Sequence, residues 1–549
     1  MRPAPPIEYD SGNYDYVIVG AGSAGCVLAD RLTASGRHRV LLIEAGGSDA
    51  RLAIKVPIGY GFTFSDRRVN WAYRTQADPG LASRSIYWPR GKVIGGCSSI
   101  NAMAYVRGLP HDFDDWERNG ANGWNWAAVR RAFLNLEIFR GFGDQGEPTV
   151  RGVGPLCVSD LRDQMHPFSS RFLESARDIG WPVLRSTDDR EQEGLTYFCS
   201  TVRNGYRVSA ADAFLRAALR RPNLRVVANA LVTRLSTKDD RLSRVHYRVG
   251  GTEHVCEANA EIIVSAGAVN SPQILQLSGI GPQDLLQSHG IPVLRDLKQV
   301  GKGLQDHLAI SHLYEATEPT LNTVLGRWLG RVGAGLRYAV TRRGALSVPV
   351  NQVGGFIRSG GPDSAPDIQI FCNPASYSVS ASGKPHMDRK PGYLLSAQPC
   401  RPTSRGEIRI ASPDPRDAPL IHPNSLATEE DRLGAIRAGK LIRDLLAAPT
   451  LRRVTRSTKT PDIRQMTDDD MLDDFRSRAS TVFHPCGTCR MGATSATSVV
   501  DSRLRVHDID GLRVVDASTF PNITSGNTNA PTLMLAMRAA DMILEDARG

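Results

Sequence analysis

The run Tyr16-Val17-Ile18-Val19 enters Gly20-Ala21-Gly22-Ser23-Ala24-Gly25, and Cys26, Val27, Ala29 and Leu32 follow at helical spacing. A β-branched strand, a tight turn and an apolar helix face are thus written in one stretch. A second apolar run, Val40-Leu41-Leu42-Ile43, closes on Glu44, 19 residues past Gly25. Gly20 permits the sharp turn, Gly22 lets a pyrophosphate approach the backbone, and Gly25 lets the helix sit close on the strand. The helix N-terminus then faces phosphates, and Glu44 can accept hydrogen bonds from an adenosine ribose. The unit predicts dinucleotide binding. It leaves FAD and NAD both open, because a ribose carboxylate serves either.

The 549 residues are 41% apolar and 23% charged, with Gly 51 and Pro 33, which excludes a disordered, collagenous or small disulfide-stapled chain. That length allows two to four domains, or one large domain with a second built from insertions. The net charge is +10, yet no run of five Lys/Arg occurs, so a nucleic-acid partner is not expected. Nine scattered cysteines, an odd number, predict reduced thiols and a cytoplasmic setting. Residues 1–13 carry Pro3, Pro5, Pro6, Glu8 and Asp10, lack the apolar stretch of a secretion signal, and read as a loose tail. The greasiest helical stretch, Leu533 to Leu544, is cut by Arg538 and Asp541, so no membrane span is expected. Resting on a membrane surface stays open.

Further along, Arg90-Gly91-Lys92-Val93-Ile94-Gly95-Gly96-Cys97-Ser98-Ser99-Ile100-Asn101-Ala102-Met103-Ala104 resembles the first signature of the glucose/methanol/choline (GMC) family of FAD oxidoreductases. Gly267 to Gly281 resembles its second signature. Phe483-His484-Pro485-Cys486-Gly487-Thr488-Cys489, Val514-Val515-Asp516-Ala517-Ser518 and Gly526-Asn527-Thr528-Asn529 are similar to its C-terminal catalytic and flavin-facing segments. The likeness runs from about Tyr14 to Ala547. It implies FAD as the cofactor, held by Gly20, Gly22, Ser23, Ala24, Gly25, Glu44, Ala45, Trp71, Val93, Gly96, Asn101, Ala102, Met103, Ala104, Val232, Asp516, Ala517, Asn527 and Thr528. Where some members carry a histidine that bonds covalently to the flavin, this chain has Ile100, so the resemblance implies non-covalent FAD. His307, in Asp306-His307, reads as structural.

Oxidising an alcohol with a flavin removes a proton from oxygen and a hydride from the adjacent carbon. Histidine has the unperturbed pKa best suited to the first task. His484 matches the position of the family's base, and Asn527 the position of the group that holds the substrate oxygen, where an amide donates without titrating. Cys486 and Cys489 have dithiol spacing, but no second C-x-x-C pair accompanies them and no metal site is expected.

The expected fold is α/β, α+β overall: a Rossmann-like FAD-binding domain with a second, substrate domain of antiparallel sheet covered by helices. Residues 14–156, 212–308 and 481–547 are assigned to the first, and residues 157–211 and 309–480 to the second. Leu346 to Phe356 is expected to line the cavity roof; it has no carboxylate, which favours a neutral primary alcohol over choline. A choline-type enzyme and a flavin-containing hydroxynitrile lyase-like enzyme are the alternatives on the same fold. The electron acceptor is O2 or a quinone-type molecule. Which of the two, which alcohol, and the oligomeric state are not written in the sequence.

Overall fold

The computed structural model describes residues 7–9, 12–142, 146–184, 193–361, 363–380 and 383–548. Its first sheet grows from the opening motif. Tyr14–Val19 and Val40–Ile43 run parallel, with Tyr16 opposite Val40 and Val19 opposite Ile43. Leu224–Val227 adds outside Val40–Ile43, and the end of Thr252–Val264 adds beside Tyr14–Val19. All of Val40–Ile43 is buried, as parallel strands with both faces covered must be, which is why their sequences are continuous rather than alternating apolar runs. Helix Ser23–Thr33 packs against the C-terminal helix Asn529–Asp546. Ser23 Oγ donates to Asn529 Oδ1 at 2.9 Å across that contact, and Leu512–Val514 completes the sheet beside Ile262–Val264.

Strand Thr252–Val264 is 13 residues long and serves two architectures. Its last residues pair in the parallel array, while Thr252 to Glu257 pair antiparallel with Arg241–Val249. Ile7–Tyr9 lies parallel to Glu253 to Val255. The stretch expected as a loose tail therefore contributes a strand where it is described; residues 1–6, 10 and 11 lie outside the described residues.

The second sheet is antiparallel in the order Thr455–Thr458, Leu308–Ala316, Gly392–Pro399, Ile368–Asn373, Val353–Ile357, Gly194–Tyr197. Side chains alternate across it. Ile310, Tyr314, Ile370, Cys372, Leu395 and Ala397 join a core with helices Ser169–Asp178 and Glu429–Ala447. Ala309, Ser311, Leu313, Phe371, Asn373 and Leu394 turn to the other face, where they line a cavity between the two sheets.

The two cores interleave along the chain. Leu156, Cys157, Val158, Cys199 and Val208 pack in the first, and Tyr73, Leu81, Ile86 and Trp88 in the second. No described helix is long and apolar enough to cross a membrane.

Candidate active site

The cavity has a volume of about 920 Å³ and runs from the glycine turn to the antiparallel sheet. At one end Glu44, Ala45 and Val232 form its wall. Glu44 Oε2 accepts from the Ala21 N–H at 2.8 Å and Oε1 from the Gly46 N–H at 2.7 Å, so both oxygens are held in place. Burial lifts this carboxyl from its ordinary value to about 7 against the pull of those two donors.

Next along the wall come Gly20, Gly22, Ser23 and Ala24. A Cβ on Gly96, whose φ is +52°, would stand 2.7 Å from the Gly22 Cα, so the two turns touch through their missing side chains. Gly25 does not reach the cavity. A Cβ there would stand 1.9 Å from the Gly20 carbonyl oxygen, so it is the close packing of helix on strand that requires glycine. Val93 does not reach it either. It is fully buried in a cluster with Ile54, Val69 and Ile100.

Trp71, Gly96, Asn101, Ala102, Met103 and Ala104 form the middle of the wall, faced by Asp516, Ala517 and Thr528. Asp516 is saturated by the N–H groups of Gly267 and Ser518, each at 2.8 Å, and the Ser271 hydroxyl at 2.6 Å. The Asn101 Oδ1 is also engaged, accepting from Arg207 at 2.7 Å and from the Met103 N–H at 3.1 Å. Arg207 is a fully buried guanidinium that sequence reading missed. It donates further to the carbonyls of Ile54, Ser98 and Asn101 and so fixes the loop. Burial pulls its pKa down to about 9.

The far end holds the two expected catalytic side chains together: Asn527 Nδ2 lies 3.1 Å from His484 Nε2. Phe483, at φ +72°, holds a left-handed backbone that a bulky residue rarely adopts. It is pinned on both sides, its N–H donating to Thr481 Oγ1 at 2.8 Å and its carbonyl accepting from Arg90 at 2.7 Å. The His484 N–H donates to Asp306 Oδ1 at 2.8 Å. His307, expected to be merely structural, touches the His484 ring, Nδ1 to Nδ1 at 3.0 Å, while its Nε2 sits 2.7 Å from the Cys400 carbonyl oxygen.

These contacts fix the tautomers. A carbonyl only accepts, so His307 carries its proton on Nε2, and its Nδ1 is an acceptor. His484 must then donate from Nδ1, which leaves its Nε2 with the lone pair that faces Asn527. Burial holds both imidazoles neutral, pulling His307 to about 4 and His484 well below its ordinary value. The result is an imidazole that can take a proton at Nε2 beside an amide that can donate.

The roof differs from expectation. Of the stretch 346–356 only Asn351 lines the cavity; Val348, Val350 and Val353 pack into three separate clusters, the first two on the irregular segment before the strand that begins at Val353. The aromatic wall comes instead from Tyr60, Phe64, Phe371, Tyr377 and Phe483. Arg74, Arg84, Arg90 and Arg478 are its basic residues, and Glu44 and Asp516 its only carboxylates among the described residues. Cys486 and Cys489 are fully buried, unpaired thiols whose pKa burial raises, so they behave as packing residues rather than a working dithiol.

Comparison with known proteins agrees with this geometry. Two GMC oxidoreductase family models match the chain, over residues 14–309 and 402–536. The oxygen-dependent choline dehydrogenase of Vibrio vulnificus is 39% identical over 539 residues, covering 97% of this chain and 94% of that protein. The alcohol dehydrogenase (acceptor) of Pseudomonas putida is 39% identical over 535 residues, covering 97% and 96%. Among solved structures, pyridoxine 4-oxidase from Mesorbium loti superposes with a TM-score of 0.84 at 32% identity, covering 96% of this chain and 99% of that one. The chain belongs to the GMC oxidoreductase family. FAD is its cofactor, and the cavity fits it: two side-chain-free turns meet at Gly22 and Gly96, a carboxylate stands at one end, and the buried Ser265 hydroxyl on the wall has no protein partner.

Proposed function

We propose that this enzyme oxidises a neutral primary alcohol to the aldehyde, with His484 as the base and Asn527 holding the substrate oxygen. The observation that carries the reading is the His484–Asn527 pair on the wall of an aromatic cavity. FAD, when bound, accepts the hydride that leaves the carbinol carbon. The hydroxyl proton passes to His484 Nε2, whose lone pair the His307 contact preserves. Asn527 Nδ2 donates to the oxygen as negative charge grows there, and its Oδ1, buried without a protein partner, is free for a second substrate contact. Glu44, Ser23, Gly22, Asn101 and Asp516 hold the cofactor from ribose to ring. O2 or a quinone-type molecule would be the electron acceptor.

The wall supports a neutral substrate. Among the described residues the two carboxylates on the wall, Glu44 and Asp516, are both assigned to the cofactor, and the other charged side chains there are four arginines, which favours a neutral substrate over a cation. The choline-type reading draws on a different feature, the edge-to-face rings of Tyr60, Phe64 and Phe483, since aromatic faces set around a cavity also hold quaternary ammonium groups. The nine cysteines, none of them in a disulfide, support a reducing, cytoplasmic compartment.

The deciding experiment is an anaerobic panel of neutral alcohols and choline, read as bleaching of the flavin absorbance and followed by admission of air. Primary alcohols should bleach the flavin, and His484→Ala should retain FAD but bleach about 10²- to 10⁴-fold more slowly. Bleaching by choline alone transfers the assignment to the choline-type reading; normal bleaching by the variant removes His484 as the base.

A further inference from the structure

Helix Trp328–Thr341 turns its apolar face away from the protein. Tyr338 is its one buried residue, with Gly330, Ala334 and Gly335 half-buried around it. The Tyr338 hydroxyl donates to the Gly205 carbonyl at 2.8 Å, and a Cβ on Gly330 would stand 2.1 Å from the Val324 carbonyl oxygen, so small residues let this narrow stripe lie close. Opposite the stripe, Leu329, Val332, Leu336 and Val340 recur at i, i+3, i+7 and i+11, the spacing of a single helical face. They are 65%, 52%, 65% and 84% exposed, and Trp328 at the helix start is 72% exposed. A surface helix in water carries charge on that side. Here Gly333 and Ala339 complete the face instead, and three glycines lower the helix's intrinsic stability in water.

The surroundings are basic. No Asp or Glu occurs between Glu318 and Asp363, a stretch that contains Arg327, Arg331, Arg337, Arg342 and Arg343. Arg343 pairs with Asp163, and Arg342 lies over the rings of Tyr206 and Tyr338. Among the described residues Arg327, Arg331 and Arg337 have no carboxylate partner, so their charge is available at the edge of the apolar face.

The helix also adjoins the cavity lining. Ala334 of this helix packs in one cluster with Ile58 and Tyr377, and Tyr377 lines the cavity. Val379 also lines it while 57% exposed, and Phe62, 64% exposed, stands between the lining residues Tyr60 and Phe64.

We propose that this face docks on an anionic lipid bilayer, with the helix lying in the headgroup plane and the cavity opening at the lipid surface. Apolar side chains with a tryptophan enter the acyl boundary while arginines meet anionic headgroups. Docking stands on the helix and its charge. Its functional consequence, delivery of an apolar alcohol or a quinone-type acceptor from the lipid, rests on the oxidoreductase reading above.

The test floats holoenzyme with vesicles of phosphatidylcholine containing about one-third phosphatidylglycerol, and with phosphatidylcholine vesicles alone. Wild type should float with the anionic vesicles and stay behind with the neutral ones. Leu336→Asp and the Arg327→Glu/Arg337→Glu pair should lose at least about 10-fold in anionic-vesicle binding, yet reduce a water-soluble dye at the wild-type rate. Wild type that ignores anionic vesicles, equal flotation with neutral ones, or undiminished flotation of Leu336→Asp overturns the proposal. So does light scattering that finds a wild-type dimer and a Leu336→Asp monomer, which gives the face to a second copy. A defect in dye reduction by alcohol with vesicle binding intact would count against the catalytic reading alone.

Discussion

His307 Nδ1 stands 3.0 Å from His484 Nδ1, and through this contact a side chain that does not line the cavity decides where the proposed base keeps its lone pair. On that reading His307 is a positioning residue. Replacing it by Ala frees the His484 ring to place its proton on either nitrogen. Flavin reduction should slow by roughly 10- to 100-fold, a fraction of what general-base catalysis contributes, with the visible flavin spectrum unchanged. The pH profile separates this role from simple packing. In wild type both imidazoles are held neutral, so kcat/KM should stay level as pH falls through 6.5 and decline only below it. His307 is one of the groups that depress His484, so its removal should move that acid limb upward. A limb that stays in place would return His307 to a packing role.

Asn527 gives a prediction of different sign in pH. An amide does not titrate, so Asn527→Ala should lower the flavin reduction rate by about 10²- to 10³-fold at every pH without shifting the profile. Stopped-flow reduction across a pH series measures both. An unchanged rate assigns Asn527 to the turn it shares with Gly526.

Glu44 ties cofactor affinity to pH. Its carboxyl, raised by burial from 4.5 to about 7 in the ligand-free protein, accepts ribose hydroxyls best when ionised. Binding therefore releases a proton, and FAD affinity should be greatest above pH 7 and fall as pH drops below it, by at most about tenfold per unit. The apoprotein follows the complementary sign: a carboxyl whose folded pKa is raised contributes stability at low pH that is lost as pH climbs from 4.5 to about 7. Quenching of FAD fluorescence by apoprotein gives the affinity, and Glu44→Gln should flatten its pH dependence. A flat wild-type curve would show that the ribose does not use this carboxylate.

Arg207→Met should yield a protein that loses FAD. The substitution keeps the aliphatic stem but strands the carbonyls of Ile54, Ser98 and Asn101 and takes one of two donors from the Asn101 Oδ1, which keeps the Met103 N–H. A buried acceptor left unpaired costs about 1 to 3 kcal/mol, so the flavin-facing loop should loosen before the sheets do. Bound flavin measured by absorbance should fall while far-ultraviolet circular dichroism is kept.

The glycine turn and Glu44 were legible because their chemistry is local: 24 residues separate Gly20 from Glu44, and each glycine answers a nearby steric demand. Arg207 and His307 were not, because their partners Asn101 and His484 stand 106 and 177 residues away and no local period announces them. The roof stretch misled for another reason. Leu346 to Phe356 mixes apolar and small residues across a strand start at Val353, so inward and outward positions could not be told apart. Helix Trp328–Thr341 shows the limit most plainly: an apolar stripe at helical spacing has the same period whether it faces the core or away from it.

The glycine turn near the start of the chain leans on the last helix, through Ser23 and Asn529, and its sheet takes the strand Leu512–Val514 from near the end. During synthesis on the ribosome the yellow coenzyme therefore finds no finished berth until the stretch from Leu512 through helix Asn529–Asp546 has emerged. A message truncated before Leu512 should yield a colourless product.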